Sequence, residues 1–377
     1  MNVPAKHDGP GSPAVDKDVA VAGSPAVDKD VAVAGTPAMD KDVAGAGTPA
    51  AGPGGTRHRP GVSAFAKDFG TRTAIIWIWV AMIVIYTLLE PGQFFEVSVF
   101  QTIFSSQQAT VFLALGLLCT VCVGEYVDLS VASLFGLSAT LLPVLVVFHG
   151  WNVVAASVVA VVVTTAFGVV NGALVVFVGV NVIVVTLGSG TLMLGLALWI
   201  SHLGDVAGMS NSYAGFALHT IFGVQASFYY GVVLVLAFAY ILAYTPLGRR
   251  MRFVGANAEV ARLSGIRVNR IRFGAFVIGA LICAVGGVIA ALSLGGFDPN
   301  STQSYLFPTF ATVFLGMAAI QPGRFNPIGT FIAIYFLATG ILGLELLGAA
   351  GWISDVFYGG ALVIAVTAAT LLRRKLV

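Results

Sequence analysis

Residues 245–272 read TPLGRRMRFVGANAEVARLSGIRVNRIR and bring seven arginines together: Arg249, Arg250, Arg252, Arg262, Arg267, Arg270 and Arg272. Upstream, from Thr73 to Gly248, there is neither a lysine nor an arginine. The charges in that long stretch are Glu90, Glu96, Glu125, Asp128 and Asp205. A soluble surface of that length needs charges of both signs to stay in water. A lipid-facing surface does not, and its cations are kept on the cytoplasmic side. The contrast predicts an all-α integral membrane protein whose arginine loop, 245–272, is cytoplasmic.

Composition agrees. Hydrophobic residues make up 58% of the chain and charged residues 10%, where a soluble domain carries about 25% charged residues. Mean hydropathy is +0.93. Apolar stretches long enough to cross a bilayer, about 17–25 residues, fall at 73–89, 107–123, 129–148, 153–177, 183–202, 227–244, 273–294, 306–320, 328–347 and 353–372. The eighth is short for a full crossing. With ten spans, the basic groups before the first, in 245–272, at Arg324 and at Arg373, Arg374 and Lys375 all lie on one side. That side is the cytoplasm by the positive-inside rule, which places both termini there. The opposite loops carry Glu90, Glu96, Asp205 and Asp298 but no basic residue.

Residues 1–72 form a separate segment. Gly11, Gly23 and Gly35 each open a twelve-residue unit, GSPAVDKDVAVA twice and then GTPAMDKDVAGA, and a decayed GTPAAG follows from Gly47. Such units have too few apolar side chains to bury a core, so a disordered low-complexity tail is expected ahead of the transmembrane domain at 73–377.

Within the arginine loop the punctuation predicts a short helix over 258–264. Asn257 suits the N-cap, Glu259 the positive first turn, Arg262 the negative end and Gly265 the stop. That helix reads either as a topology anchor on anionic lipid or as a docking helix for a soluble partner. Glu125 and Asp128 fall between the second and third spans. Asp128 and Ser130 suit a helix start. Glu125, with no Lys, Arg or His nearby in sequence, is expected to be solvated at the cytoplasmic surface. Cys119, Cys122, Cys283 and the scattered His149, His202 and His219 lack metal-ligand spacing, and no metal or cofactor is expected. There is no GxxxxGK[ST] loop to hold ATP, no nucleophile–base grouping for a membrane enzyme and no basic domain for nucleic acid.

The segment Gly248-Arg249-Arg250-Met251-Arg252-Phe253-Val254-Gly255-Ala256-Asn257-Ala258-Glu259-Val260-Ala261-Arg262-Leu263-Ser264-Gly265 resembles the coupling loop of permeases from ABC importers of the ribose/xylose/galactose type. Gly124-Glu125-Tyr126-Val127-Asp128-Leu129-Ser130-Val131 is similar to that family's Gly-Gly-Ile-Asp-Leu-Ser-Val. Gly168-Val169-Val170-Asn171-Gly172 with Thr186-Leu187-Gly188 resembles its Gly-Leu-Val-Asn-Gly and Thr-Leu-Gly pair. Asp298-Pro299-Asn300 stands where the family has Gln-Pro-Asn, and Glu125 where it has glycine. The likeness runs from about Phe94 to the C-terminus.

The resemblance implies a ten-span permease in a bacterial cytoplasmic membrane, forming the path for a simple sugar. It pairs with a second copy or a sister permease, takes sugar from an extracytoplasmic solute-binding protein and is driven by a separate cytoplasmic ATP-binding subunit. Gly255, Asn257, Glu259, Arg262, Ser264 and Gly265 would form the coupling site. Asn171, Asn181, Thr186, Phe310 and Thr312 are candidates for the pathway, and Glu125, Asp128 and Ser130 for structural or gating roles. A self-sufficient secondary transporter or channel for a small polar solute is the alternative; it would be expected to carry ionisable residues mid-span. An ABC permease for a nucleoside or an amino acid is a second alternative.

Overall fold

The computed structural model describes residues 62–210, 213, 215–321 and 323–374, with side chains from Thr73 to Thr367. The chain divides into a unit Met1–Arg59 and a unit Pro60–Val377. The twelve-residue repeats, Arg57, His58, Arg59 and Lys375 lie outside the described residues, as do the side chains of Lys67, Arg72, Arg373 and Arg374.

Fourteen helices are described: α1 Val62–Leu89, α2 Val97–Ser106, α3 Gln108–Val121, α4 Val131–Pro143, α5 Val153–Ala173, α6 Val182–Ile200, α7 Gly215–Leu218, α8 Ala226–Tyr244, α9 Pro246–Ala256, α10 Ala258–Leu263, α11 Val268–Leu294, α12 Leu306–Gly316, α13 Pro327–Leu346 and α14 Trp352–Arg374. Helix α4 is prolonged by a π turn at Val144–Phe148 and α5 by another at Leu174–Val178. Two-residue strands β1 (Val206–Ala207), β2 (Thr220–Ile221), β3 (Val224–Gln225) and β4 (Gly296–Phe297) pair as β1–β4 and β2–β3, both antiparallel. Each predicted span contains a helix. By length and composition, six are able to cross a membrane, or seven if the bent pair α2–α3 is one span.

Helix α11 is the axis of the bundle, packed against α3, α4 and α5. Its most apolar window is 72% buried, against 28% in α5 and α6, so α11 is wrapped by protein while the other two turn valines and leucines outward. A membrane helix reaches such close packing through small residues. At Gly279 a Cβ would lie 2.8 Å from the Gly116 carbonyl oxygen of α3, so any larger residue would push the two backbones apart.

The helices differ from the sequence expectation in three places. The second span, expected at 107–123, is preceded by α2, bent 40° from α3. The arginine run at 246–256, expected as loop, is helix α9. The eighth span, expected at 306–320, stops at Gly316. Its 11 residues rise about 16 Å, about half of a bilayer core. The chain then turns at Ile320, whose φ of +61° is left-handed. Asn326 holds this turn: its side-chain amide donates to the Ala319 and Arg324 carbonyls, each at 3.2 Å, and its oxygen caps α13 by accepting from Gly329 N–H.

Candidate coupling site

The arginine loop is built from two capped helices. Thr245 ends α8 and starts α9; its hydroxyl donates to the Ile241 carbonyl at 2.6 Å and accepts from Gly248 N–H at 3.2 Å. Pro246 follows at the first helical position, where the missing N–H costs nothing. Gly248, Met251 and Val254 are the buried face of α9. Asn257 then breaks the helix with an extended backbone, and its side-chain oxygen accepts from both Glu259 and Val260 N–H at 3.0 Å. This is the expected N-cap.

Helix α10 runs Ala258–Leu263, one residue shorter than expected, because Ser264 is already its C-cap. Gly265 has φ +80°. Its N–H donates to the Arg262 carbonyl and that of Ile266 to the Ala261 carbonyl, both at 3.0 Å, which together form the Schellman closure. The Glu259–Arg262 pair at 3.3 Å is exposed at both ends, so it adds little stability. Ala261 is fully buried beneath the helix, whereas Leu263 is 81% and Val260 46% exposed. Two apolar side chains thus stand out from a helix fixed at both ends.

The loop is braced against the segment between α3 and α4. At Gly255, the end of α9, the backbone meets the Cys122 carbonyl so closely that a Cβ has no room. Tyr126 Oη donates weakly to the Gly255 carbonyl at 3.4 Å. Near the start of α11, Arg272 Nε donates to Glu125 Oε1 at 2.6 Å, and Arg272 Nη2 reaches the same oxygen. The expectation of a solvated Glu125 is therefore wrong. Its carboxylate is buried, and its partner comes from 147 positions away, where sequence proximity gives no warning.

Asp128 is buried beside it. Its Oδ1 accepts from Ser130 N–H at 3.1 Å and Ser130 Oγ at 2.6 Å, shaping the turn into α4 rather than capping the helix directly, since Ser130 is the N-cap residue. Burial pushes the Asp128 carboxyl above its ordinary range, and the two Ser130 bonds oppose that shift. Asp128→Asn keeps an acceptor and removes the buried charge, so thermal unfolding in detergent is expected to stay close to wild type. Asp128→Ala strands both Ser130 donors and is expected to cost about 1–3 kcal/mol, read as a lowered unfolding midpoint. Equal behaviour of the two variants would contradict this role.

The five pathway candidates do not share one place. Thr186 Oγ1 accepts from Leu129 N–H at 3.1 Å and donates to the Val182 carbonyl. Asn181 caps α6 through Ile183 N–H and is exposed. Thr312 donates to the Thr309 carbonyl, and buried Phe310 stacks on Phe314 with centroids 6.3 Å apart. Asn171, 1% exposed on α5, differs: neither atom of its amide has a partner among the described residues. Among the described residues no group of three His, Cys, Asp or Glu is placed to hold a metal.

Residues 100–366 match the family described as branched-chain amino acid transport system / permease component. The chain is 30% identical over 291 residues to the autoinducer 2 import system permease protein LsrC of Escherichia coli (strain SMS-3-5 / SECEC), covering 76% of this chain and 83% of that one. It is 29% identical over 290 residues to the protein of the same name from Photorhabdus laumondii subsp. laumondii, covering 76% and 86%. The Salmonella typhi protein of that name is 30% identical over 296 residues, covering 78% and 84%. No solved structure matches. The matched span takes in α10, its caps, the α3–α4 segment and both ends of the Glu125–Arg272 pair, and the chain belongs to the family of branched-chain amino acid transport system permease components.

Proposed function

We propose that this chain forms the translocation path of an ABC importer and receives the force of ATP hydrolysis, made by a separate cytoplasmic subunit, at α10. The observation that carries the reading is the construction of α10 itself. A six-residue helix has little stability of its own, yet Asn257 and Gly265 close both ends while Val260 and Leu263 stand exposed. Apolar side chains held out on a rigid element suit a protein partner. The brace at Gly255 and Arg272 gives a displaced α10 two mechanical routes, into α3–α4 and into α11.

The finer assignments follow the same reading: ten crossings, both termini in the cytoplasm of a bacterium, a tail at 1–72 before a transmembrane domain at 73–377, and a second permease copy or a sister permease. A solute-binding protein would dock on the opposite face, where Glu90, Glu96, Asp205 and Asp298 call for a basic rim. The cargo is a simple sugar, by the likeness to ribose/xylose/galactose permeases. The names of the relatives and of the family make autoinducer 2 and branched-chain amino acids the competing solutes to test in uptake assays. Within the path, Asn171 is the strongest candidate of the five, because its amide is buried and unsatisfied.

Arg262→Glu and Gly265→Pro, each outside the bundle core, are expected to leave insertion intact. Each should lower ATP-driven uptake in proteoliposomes about tenfold or more, the loss of about 1.4 kcal/mol of docking energy. Unchanged uptake in both would remove α10 from the mechanism, and uptake without ATP would favour a secondary transporter.

A further inference from the structure

At the end of the bundle that carries the arginine loop, a cavity of about 740 Å³ opens between α9, α8 and the turn joining α12 to α13. That is the size range of small-ligand sites. One wall is a single face of α9, with Arg249, Arg252, Phe253 and Ala256 at the spacing that aligns side chains along a helix. Arg324 lines the opposite wall, and Val121, Cys122 and Tyr126 come from the end of α3 and the segment that follows.

Three arginines thus line one cavity, and no carboxylate is among its lining residues. Nor does any described carboxylate pair with Arg249, Arg252 or Arg324; among the described residues Glu125 is committed to Arg272 and Glu259 to Arg262. Arg252 Nε is buried without a hydrogen-bond partner. A buried charged donor left unmatched is costly, and like charges converging on one space repel. The turn bearing Arg324 is also held in an unfavourable shape, with Ile320 in the left-handed region that β-branched residues avoid and Asn326 bonded to the Arg324 carbonyl.

We propose that this cavity binds a phosphate-bearing anion through Arg249, Arg252 and Arg324. The planar guanidinium fork matches phosphate oxygens two at a time, and an anion would relieve the repulsion and satisfy Arg252 Nε together. Bound there it bridges α9 to the α12–α13 turn. The phosphate arrives either as a phospholipid headgroup, since basic pockets between membrane helices take such groups, or as a soluble phosphate ester. The site is separate from α10, and its binding does not depend on the transport reading.

The test uses the full chain in nanodiscs. In neutral phosphatidylcholine discs, binding of inorganic phosphate and of glucose 6-phosphate is measured by calorimetry. In a second set containing phosphatidylglycerol, retained lipid is counted by native mass spectrometry. Saturable binding in the first arm identifies a soluble anion, and selective retention in the second identifies the headgroup. In either arm Arg252→Gln/Arg324→Gln is expected to weaken binding about tenfold or more. Arg267→Gln/Arg270→Gln, which removes the same charge outside the cavity, is expected to leave binding unchanged. If the first double variant does not fold, Arg324→Gln alone, on the exposed turn, gives the same readout. Equal loss in both double variants, or no saturable binding in either arm, overturns the proposal.

Discussion

Arg272→Glu is expected to be the most damaging single change in the chain. The wild-type pair joins the base of α11 to the α3–α4 segment, with the Arg272 side chain 25% and the Glu125 side chain 10% exposed. Reversal places two carboxylates on one another in a site that water barely reaches. Breaking a buried pair costs on the order of 3 kcal/mol before the repulsion is added. In detergent, the unfolding midpoint should fall by at least several degrees, and much of the protein should be lost during purification. The reciprocal double change, Glu125→Arg with Arg272→Glu, restores opposite charges and is expected to recover a substantial part of the loss. Its double-mutant cycle would then show a coupling above about 1 kcal/mol. A double variant no better than the sum of its parts would mean that the two side chains do not stabilise each other.

Gly255→Val is expected to act on transport more than on folding. A Cβ at this position would strike the Cys122 carbonyl, and its next neighbours, the Cys122 carbonyl carbon at 3.1 Å and the Gly124 nitrogen at 3.5 Å, are also backbone. No side chain can swing aside to absorb the intrusion. The end of α9 must therefore lift away from α3, at a cost of about 1–3 kcal/mol. Because α10 follows directly after Asn257, the lift displaces α10 as well. ATP-driven uptake should drop about tenfold to a hundredfold while far-ultraviolet circular dichroism keeps its helical signal. Wild-type uptake in this variant would show that the close approach at Gly255 plays no part in coupling.

Both predictions turn on contacts of different visibility in the sequence. Apolar run length was enough to locate a helix within every expected span, because in lipid the backbone must satisfy its own hydrogen bonds. Helix α10 was legible almost to the residue, since its signals, Asn257 and Gly265, are local. Helix α9 was missed, although Thr245 followed by Pro246 marks its start, because the arginine run overshadowed those signals. The Glu125–Arg272 pair was not legible, because nothing local links two residues so far apart. The pathway was equally hidden. Which face of a helix turns inward depends on its neighbours, and α5 and α6 are apolar almost all round. Asn171 is set apart from Asn181 only by its tertiary surroundings: one amide caps a helix, the other is enclosed and unmatched.

The most direct measurement places a photo-crosslinking residue at Leu263, the more exposed of the two outward apolar side chains of α10, in the full chain within its native membrane. Irradiation followed by mass spectrometry reads out the neighbour. Docking of an ATPase at α10 predicts a crosslink to a subunit carrying an ATP-binding P-loop, lost when Gly265→Pro is added. Crosslinks to lipid alone, together with solute uptake that needs no ATP, would contradict it.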